Sequence, residues 1–325
     1  MKLLFSLAIL VAAAAPAADK PILWKDWGPV ESLDLAGGPG GSSNAPKPPF
    51  TFKKEDSGGT APKVAVTDAR GTDWAIKFGP EVKPETFATR LVWAAGYMAE
   101  PTYYVREGTI RGVGKLGRAA EFIDAAGAFH DGRFQIRDKK QYVFHDTRWS
   151  FDEKSVKGTK ELNGLKILIV LLSNWDVKPI NTAIIETGGQ AYYAISDWGA
   201  TMGKSGEIGG HSKWECAPFA AQTDHLIEGV ADGYVSFNYT GKSADQVANN
   251  IRVEDVQWFM RRMGKLSDAQ IRAALEASGA TPEEIACFTA SLRKRLDMLA
   301  AIANVKGGSA PSRESSPAKR SARPL

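Results

Sequence analysis

The chain has 325 residues, 43% hydrophobic and 24% charged, enough to bury a large core. The formal charge of +4 resides wholly in the last 21 residues, where Lys306, Arg313, Lys319, Arg320 and Arg323 face Glu314 alone. The remaining body is neutral, which excludes the basic footprint of a nucleic-acid-binding domain, and the Ser, Pro and Gly content of residues 305–325 predicts a disordered basic tail.

Met1-Lys2, the apolar run Leu3 to Ala15 and the small residues up to Ala18 have the three parts of a secretory signal. Residues 1–18 are therefore expected to be a signal peptide, cleaved after Ala18, and the protein to be exported. No later segment is apolar and long enough to cross a bilayer, so no stable membrane insertion is expected after cleavage. In an oxidising compartment Cys216 and Cys287 can form one disulfide, whereas two cysteines outside any CxxC pair make a thiolate metal site improbable.

Residues 19–49 are rich in loop formers, notably Gly37 to Asn44, and are read as a flexible approach to the folded unit. Alternation predicts strands over 50–55, 63–68 and 73–78, joined by short Gly-containing turns into an antiparallel meander. A helix is expected from Pro84, with Phe87, Leu91, Ala94 and Ala95 on one face. The stretch from 100 to 150 gives no clear assignment. Leu162 to Leu172 is long and apolar enough for a buried helix. Ser267 with Gln270, and Thr281 with Glu284, are capping boxes opening amphipathic helices.

Between these lies the stretch with the chemistry. Thr182 to Glu186 and Ala191 to Ser196 read as strands joined through Gly188-Gly189, a favoured hairpin loop. With Thr187 opposite Gln190, Asn181 falls opposite Ser196 and Asp197 lies one step beyond. The hairpin thus brings a carboxamide and a carboxylate together, and a five-residue loop carries Asp176 to the same end. Hard oxygen ligands of this kind suit Mg²⁺, which keeps few protein ligands and favours phosphate oxygens.

These residues resemble the protein-kinase-like superfamily. Asp176-Val177-Lys178-Pro179-Ile180-Asn181 is similar to its catalytic loop, Asp197-Trp198-Gly199 to its metal-binding D-F-G, and Trp74-Ala75-Ile76-Lys77 to the strand ending in its nucleotide-pairing lysine. The resemblance implies an α+β, two-lobed fold: a small β-rich lobe with one helix, about 50–110, and a larger, mainly helical lobe, about 111–304. It implies ATP and Mg²⁺ as cofactors, Asp176 and Lys178 as catalytic residues, and Asn181 and Asp197 as metal ligands. Lys77 would bind the α- and β-phosphates. Glu85 would be its ion-pair partner, with Glu81 as competitor.

With its departures the chain resembles the atypical, bacterial kinase-like proteins more than regulated eukaryotic-type kinases. Asn174-Trp175 stands where His-Arg is usual, and no A-P-E segment follows Gly199. The glycine-rich loop is reduced to Ser57-Gly58-Gly59-Thr60, whose amides would cradle phosphate. The string from Ser57 to Lys63 is similar to the phosphate loop of HipA-type kinases, and export is shared with secretory-pathway kinases. The four histidines show no ligand spacing, and Trp175 and Trp198 are expected to shape the pocket. The expected function is transfer of phosphate from ATP to a hydroxyl of a protein or small molecule outside the cytoplasm. A nucleotide-binding pseudokinase, AMP transfer on the same scaffold, and a glycosidase using Asp176 and Asp197 are the competing readings.

Overall fold

The structure is a computed structural model that describes residues 20–138, 141–206 and 209–304; the expected signal peptide and basic tail lie outside these residues. The fold is α+β. Strands β1 (Phe50–Asp56), β2 (Lys63–Thr67) and β3 (Asp73–Lys77) form the antiparallel meander, and helix α1 (Val82–Ala94) follows. Two further strands, β4 (Thr102–Arg111) and β5 (Ala128–Ile136), complete the sheet. The order β1-β2-β3-β5-β4 closes into a barrel through parallel pairing of β1 with β4. The barrel therefore runs to Ile136, beyond the boundary near residue 110 that the sequence suggested. Phe50, Val64, Val66, Trp74, Ile76, Phe129 and Phe134 fill its interior, with Phe50 and Phe134 ring centroids 4.8 Å apart. Closure leaves no free edge strand in this small sheet.

The second half is built around α2 (Lys160–Leu171), which Thr159 caps by accepting from the Leu162 amide at 3.2 Å. Residues Leu162 to Leu171 are all buried, and the two polar members are paired: Asn163 donates to Asp255 at 2.8 Å and Lys166 to the Asn249 carbonyl at 3.2 Å. A three-stranded sheet, β6 (Val143–His145), β7 (Thr182–Thr187) and β8 (Gln190–Ile195), follows the order β6-β7-β8. Around these pack α3 (Cys216–Thr223), the hairpin β9 (Ile227–Ala231) and β10 (Tyr234–Phe237), and helices α4 (Ala244–Ala248), α5 (Val253–Met263), α6 (Asp268–Glu276) and α7 (Pro282–Ala303). Both capping boxes are formed, at Ser267 with Gln270 and at Thr281 with Glu284. Cys216 and Cys287 form a disulfide joining α3 to α7. No described helix is long and apolar enough to cross a membrane.

The described part of the segment read as flexible, residues 20–49, is packed against the body. Leu23, Val30 and Leu35 are buried in the helical core. Ile22 exchanges backbone hydrogen bonds with Ala191 and Tyr193 at 3.0 and 2.9 Å, and the Trp24 indole donates to the Ala95 carbonyl at 2.8 Å. The segment thus covers the carbonyls at the end of α1. Gly96, at φ +100°, makes this possible: a Cβ there would lie 2.1 Å from the Trp24 nitrogen. Scattered apolar residues anchored by backbone hydrogen bonds carry no periodic signal, which is why the sequence concealed this packing.

Candidate active site

Three pieces of chain meet around one cavity, and a fourth that the sequence pointed to stands apart from it. The first is the end of β3. Lys77 is 7% exposed, and its Nζ lies 2.9 Å from Glu85 Oε2 on α1 and 2.6 Å from Glu81 Oε2 just before that helix. Both candidate partners therefore hold the lysine at once. Glu85 turns its other oxygen to Arg133 Nη1 on β5, at 3.0 Å. Burial opposes the Lys77 charge, but Glu85, Asp197 and Glu81 outweigh it and raise its pKa. Burial likewise opposes ionisation of Glu81, yet Lys77 and Lys213 bring its carboxyl down to about 2.

The second piece is the loop after α2. Arg295, fully buried on α7, donates to the Leu171 carbonyl at 2.9 Å and the Ser173 hydroxyl at 2.8 Å, satisfying a carbonyl that the buried end of α2 leaves unpaired. With no carboxylate beside it among the described residues, burial brings its pKa down to about 9. Asn174 then accepts from the Asp176 amide at 3.3 Å and donates to the Asp197 carbonyl at 3.4 Å, tying the loop to the strand end. Lys178 Nζ sits 2.7 Å from Asp176 Oδ2, and Asn181 donates its amide to the Asp176 carbonyl at 2.9 Å. The Asn181 amide oxygen takes no hydrogen bond among the described residues.

The third piece is the β7–β8 hairpin. Thr187 pairs with Gln190 and Thr182 with Ile195, and the Ser196 amide donates to the Asn181 carbonyl at 2.8 Å. Asp197 follows, its Oδ1 accepting from the Gly199 amide at 3.0 Å. Gly199 is needed here: a Cβ would meet the Glu81 side chain at 2.9 Å. Carboxylate oxygens of Glu81, Glu85 and Asp197 lie within 4.8 Å of one another, and Asn181 and Asp197 line the same cavity of about 370 Å³. This all-oxygen donor set fits a hard divalent cation such as Mg²⁺ or Mn²⁺.

The fourth piece is the Ser57–Thr60 turn, which does not line that cavity, although Lys63 at its far end does. Arg118 donates to the carbonyls of Ser57, Gly59 and Thr60 at 2.7–3.0 Å, and the Gly58 amide is spent on Asp56 at 2.9 Å. The expected amide cradle is thus latched to the 3-10 turn Arg118–Glu121, with one of its amides already engaged. Trp198 is 2% exposed and donates to the Ile195 carbonyl at 3.0 Å, so it is a core residue and not a pocket wall. Trp175 stacks on His211 with centroids 3.6 Å apart.

Sequence reasoning missed the wall supplied by β5 and the segment before β4. Arg133 and Gln135 are buried and line the cavity with Glu100, whose pKa is raised by burial against the pull of Arg137 and Arg133. The alternation Arg133-Phe134-Gln135-Ile136-Arg137 carried the signal: apolar residues turn into the barrel while polar ones turn out of it.

No family model matches the sequence, and no curated protein sequence matches it. Among solved structures the chain is similar to the Helicobacter pylori proinflammatory kinase CtkA, at 14% identity over 79% of this chain and 95% of that one, with a TM-score of 0.44. It is also similar to the Golgi casein kinase, at 11% identity over 86% of this chain and 78% of that one, with a TM-score of 0.40; another structure of that kinase has Mn/ADP bound.

Proposed function

We propose that the chain is a metal-dependent phosphotransferase that moves the terminal phosphoryl group of a nucleoside triphosphate to a hydroxyl group of a protein or small molecule outside the cytoplasm. The observation that carries the reading is the meeting of Lys77, Asn181 and Asp197, drawn from three separate pieces of chain, around one polar cavity, with Asp176 held to Asn181 in the same loop. A core needs none of these groups, and burying Lys77, Glu85 and Arg133 together is costly unless the site uses them. The barrel with α1 and the mainly helical remainder act as the two lobes.

In this reading Lys77, steadied by Glu85, holds the α- and β-phosphates. Asn181 and Asp197 hold Mg²⁺, which when bound neutralises charge on the phosphate oxygens. Asp176 orients the acceptor hydroxyl and accepts its proton, and Lys178, 2.7 Å from Asp176, compensates charge on the transferred group. ATP is the donor that the sequence resemblance implies. Incubation with terminally labelled triphosphate and Mg²⁺ or Mn²⁺, followed by autophosphorylation and nucleotide-hydrolysis readouts, tests the proposal. Label transfer or hydrolysis that falls about a hundredfold in Asp176→Ala supports it; equal turnover in that variant contradicts it.

A further inference from the structure

The cavity continues along β5 away from Lys77. Antiparallel pairing sets Lys77 opposite Arg133 and Ala75 opposite Gln135, so Arg133, Gln135 and Arg137 alternate onto the face bearing Lys77. At the rise of an extended strand, Gln135 stands ~7 Å and Arg137 ~14 Å from the Lys77 level. The opposite wall runs the same way. Asn181 and Ala183 both line the cavity, and β6 sets Phe144 beside Ile185, two residues further on. The cavity therefore has a phosphate end at Lys77, Asn181 and Asp197, and a far end at Glu100, Arg137 and Phe144.

The far end is unusual in being charged. Glu100 is 8% exposed and accepts from the Gln135 amide, with Arg137 Nη1 at 3.9 Å. Both ends of the Gln135 amide are engaged, because its carbonyl also accepts from Arg133 Nη2 at 3.1 Å. The groups left for a ligand are the second Glu100 oxygen, which takes no hydrogen bond among the described residues, the 40%-exposed Arg137 side chain and the 43%-exposed Phe144. A carboxylate, a guanidinium fork and an aromatic face suit a flat ring carrying adjacent donors and acceptors.

We infer that this end binds guanine, making GTP the preferred donor over the ATP implied by the sequence. The inference rests on the nucleotide reading above. Guanine presents O6 and N7 as a paired acceptor that an arginine fork takes bidentately. On the adjoining edge its N1–H and N2–H₂ point at a carboxylate. Adenine instead sets the N1 lone pair against that carboxylate, and the glutamine that would pair its N6 and N7 is already engaged. Phe144 supplies a stacking face for the ring.

Calorimetric titration of the purified chain with GTP, ATP and ITP in Mg²⁺ tests the inference. GTP is expected to bind at least about tenfold more tightly than ATP, the discrimination of one bidentate base contact. ITP, which keeps O6, N7 and N1–H, should lie nearer GTP than ATP. Arg137→Ala, at a half-exposed position that the fold tolerates, should weaken GTP about tenfold and leave ATP within about twofold. Glu100→Gln should narrow the same gap, provided its melting temperature is retained. ATP binding as tightly as GTP overturns the inference and leaves the phosphotransferase reading standing. Equal losses for both nucleotides in Arg137→Ala also overturn it, since they would place Arg137 on phosphate. Binding of none of the three overturns both.

Discussion

Removing the Glu85 carboxylate tests the ion-pair cluster that organises the site. Glu85 is 3% exposed and bridges Lys77 at 2.9 Å and Arg133 at 3.0 Å. In Glu85→Ala, Lys77 keeps Glu81 at 2.6 Å, but Arg133 retains no carboxylate within salt-bridge distance among the described residues. Stripping one partner from a buried pair costs about 3–5 kcal/mol because the remaining charge stays desolvated. The surviving Glu81 contact places this variant at the lower end, about 3 kcal/mol, a fall of roughly 6 °C in melting temperature for a domain of this size. Calorimetry and urea unfolding of the wild type, Glu85→Ala and Glu81→Gln would measure it. Glu81 is more exposed and should lose less on neutralisation. A Glu85→Ala loss below about 1 kcal/mol, or a larger loss in Glu81→Gln, would refute the cluster as the organising contact.

Lys77→Met, which keeps the bulk of the lysine stem, should lower kcat about a hundredfold or more while the protein remains folded by circular dichroism; unchanged turnover would remove Lys77 from the phosphate site. Because the folded-state pKa of Glu81 is depressed to about 2, its contribution is fully present above its ordinary 4.5 and is lost as pH falls toward 2. That contribution is about 3 kcal/mol at most, so acid unfolding of Glu81→Gln should be less steep than that of the wild type between pH 4.5 and 2, and the two should be parallel from pH 5 to 8. Reducing the Cys216–Cys287 bridge, which closes a separation of 71 residues, should cost about 4 kcal/mol in the chain-entropy account; an unchanged urea midpoint in dithiothreitol would contradict it.

The site was legible where chemistry and local geometry coincide. Thr187-Gly188-Gly189-Gln190 fixed the hairpin register, and that register alone set Asn181 against Ser196 and Asp197 beside them. The first three strands were legible because large barrel-facing Val64, Val66, Trp74 and Ile76 alternate with small Ala65 and Ala75 and with polar residues at the strand ends. β5 was not, because its outward face carries buried Arg133 and Gln135, so polarity there marks a cavity and not solvent. Sequence proximity also could not choose between Glu81 and Glu85, since a residue just before a helix and one in its first turn both reach the lysine. Arg295 was invisible for a different reason: it serves backbone carbonyls more than 120 residues away, a role with no sequence pattern.

The most direct test of the phosphotransferase account is thermal unfolding of the purified chain with Mg²⁺ and a nucleoside triphosphate, GTP and ATP in separate series, beside Asp197→Ala. A ligand that binds only the folded state adds about 2.7 kcal/mol at a hundred times its dissociation constant, roughly 5 °C here. The account predicts a metal-dependent rise of that order in the wild type and its loss in Asp197→Ala. No rise with either nucleotide at millimolar concentration, or an equal rise in the variant, would contradict it.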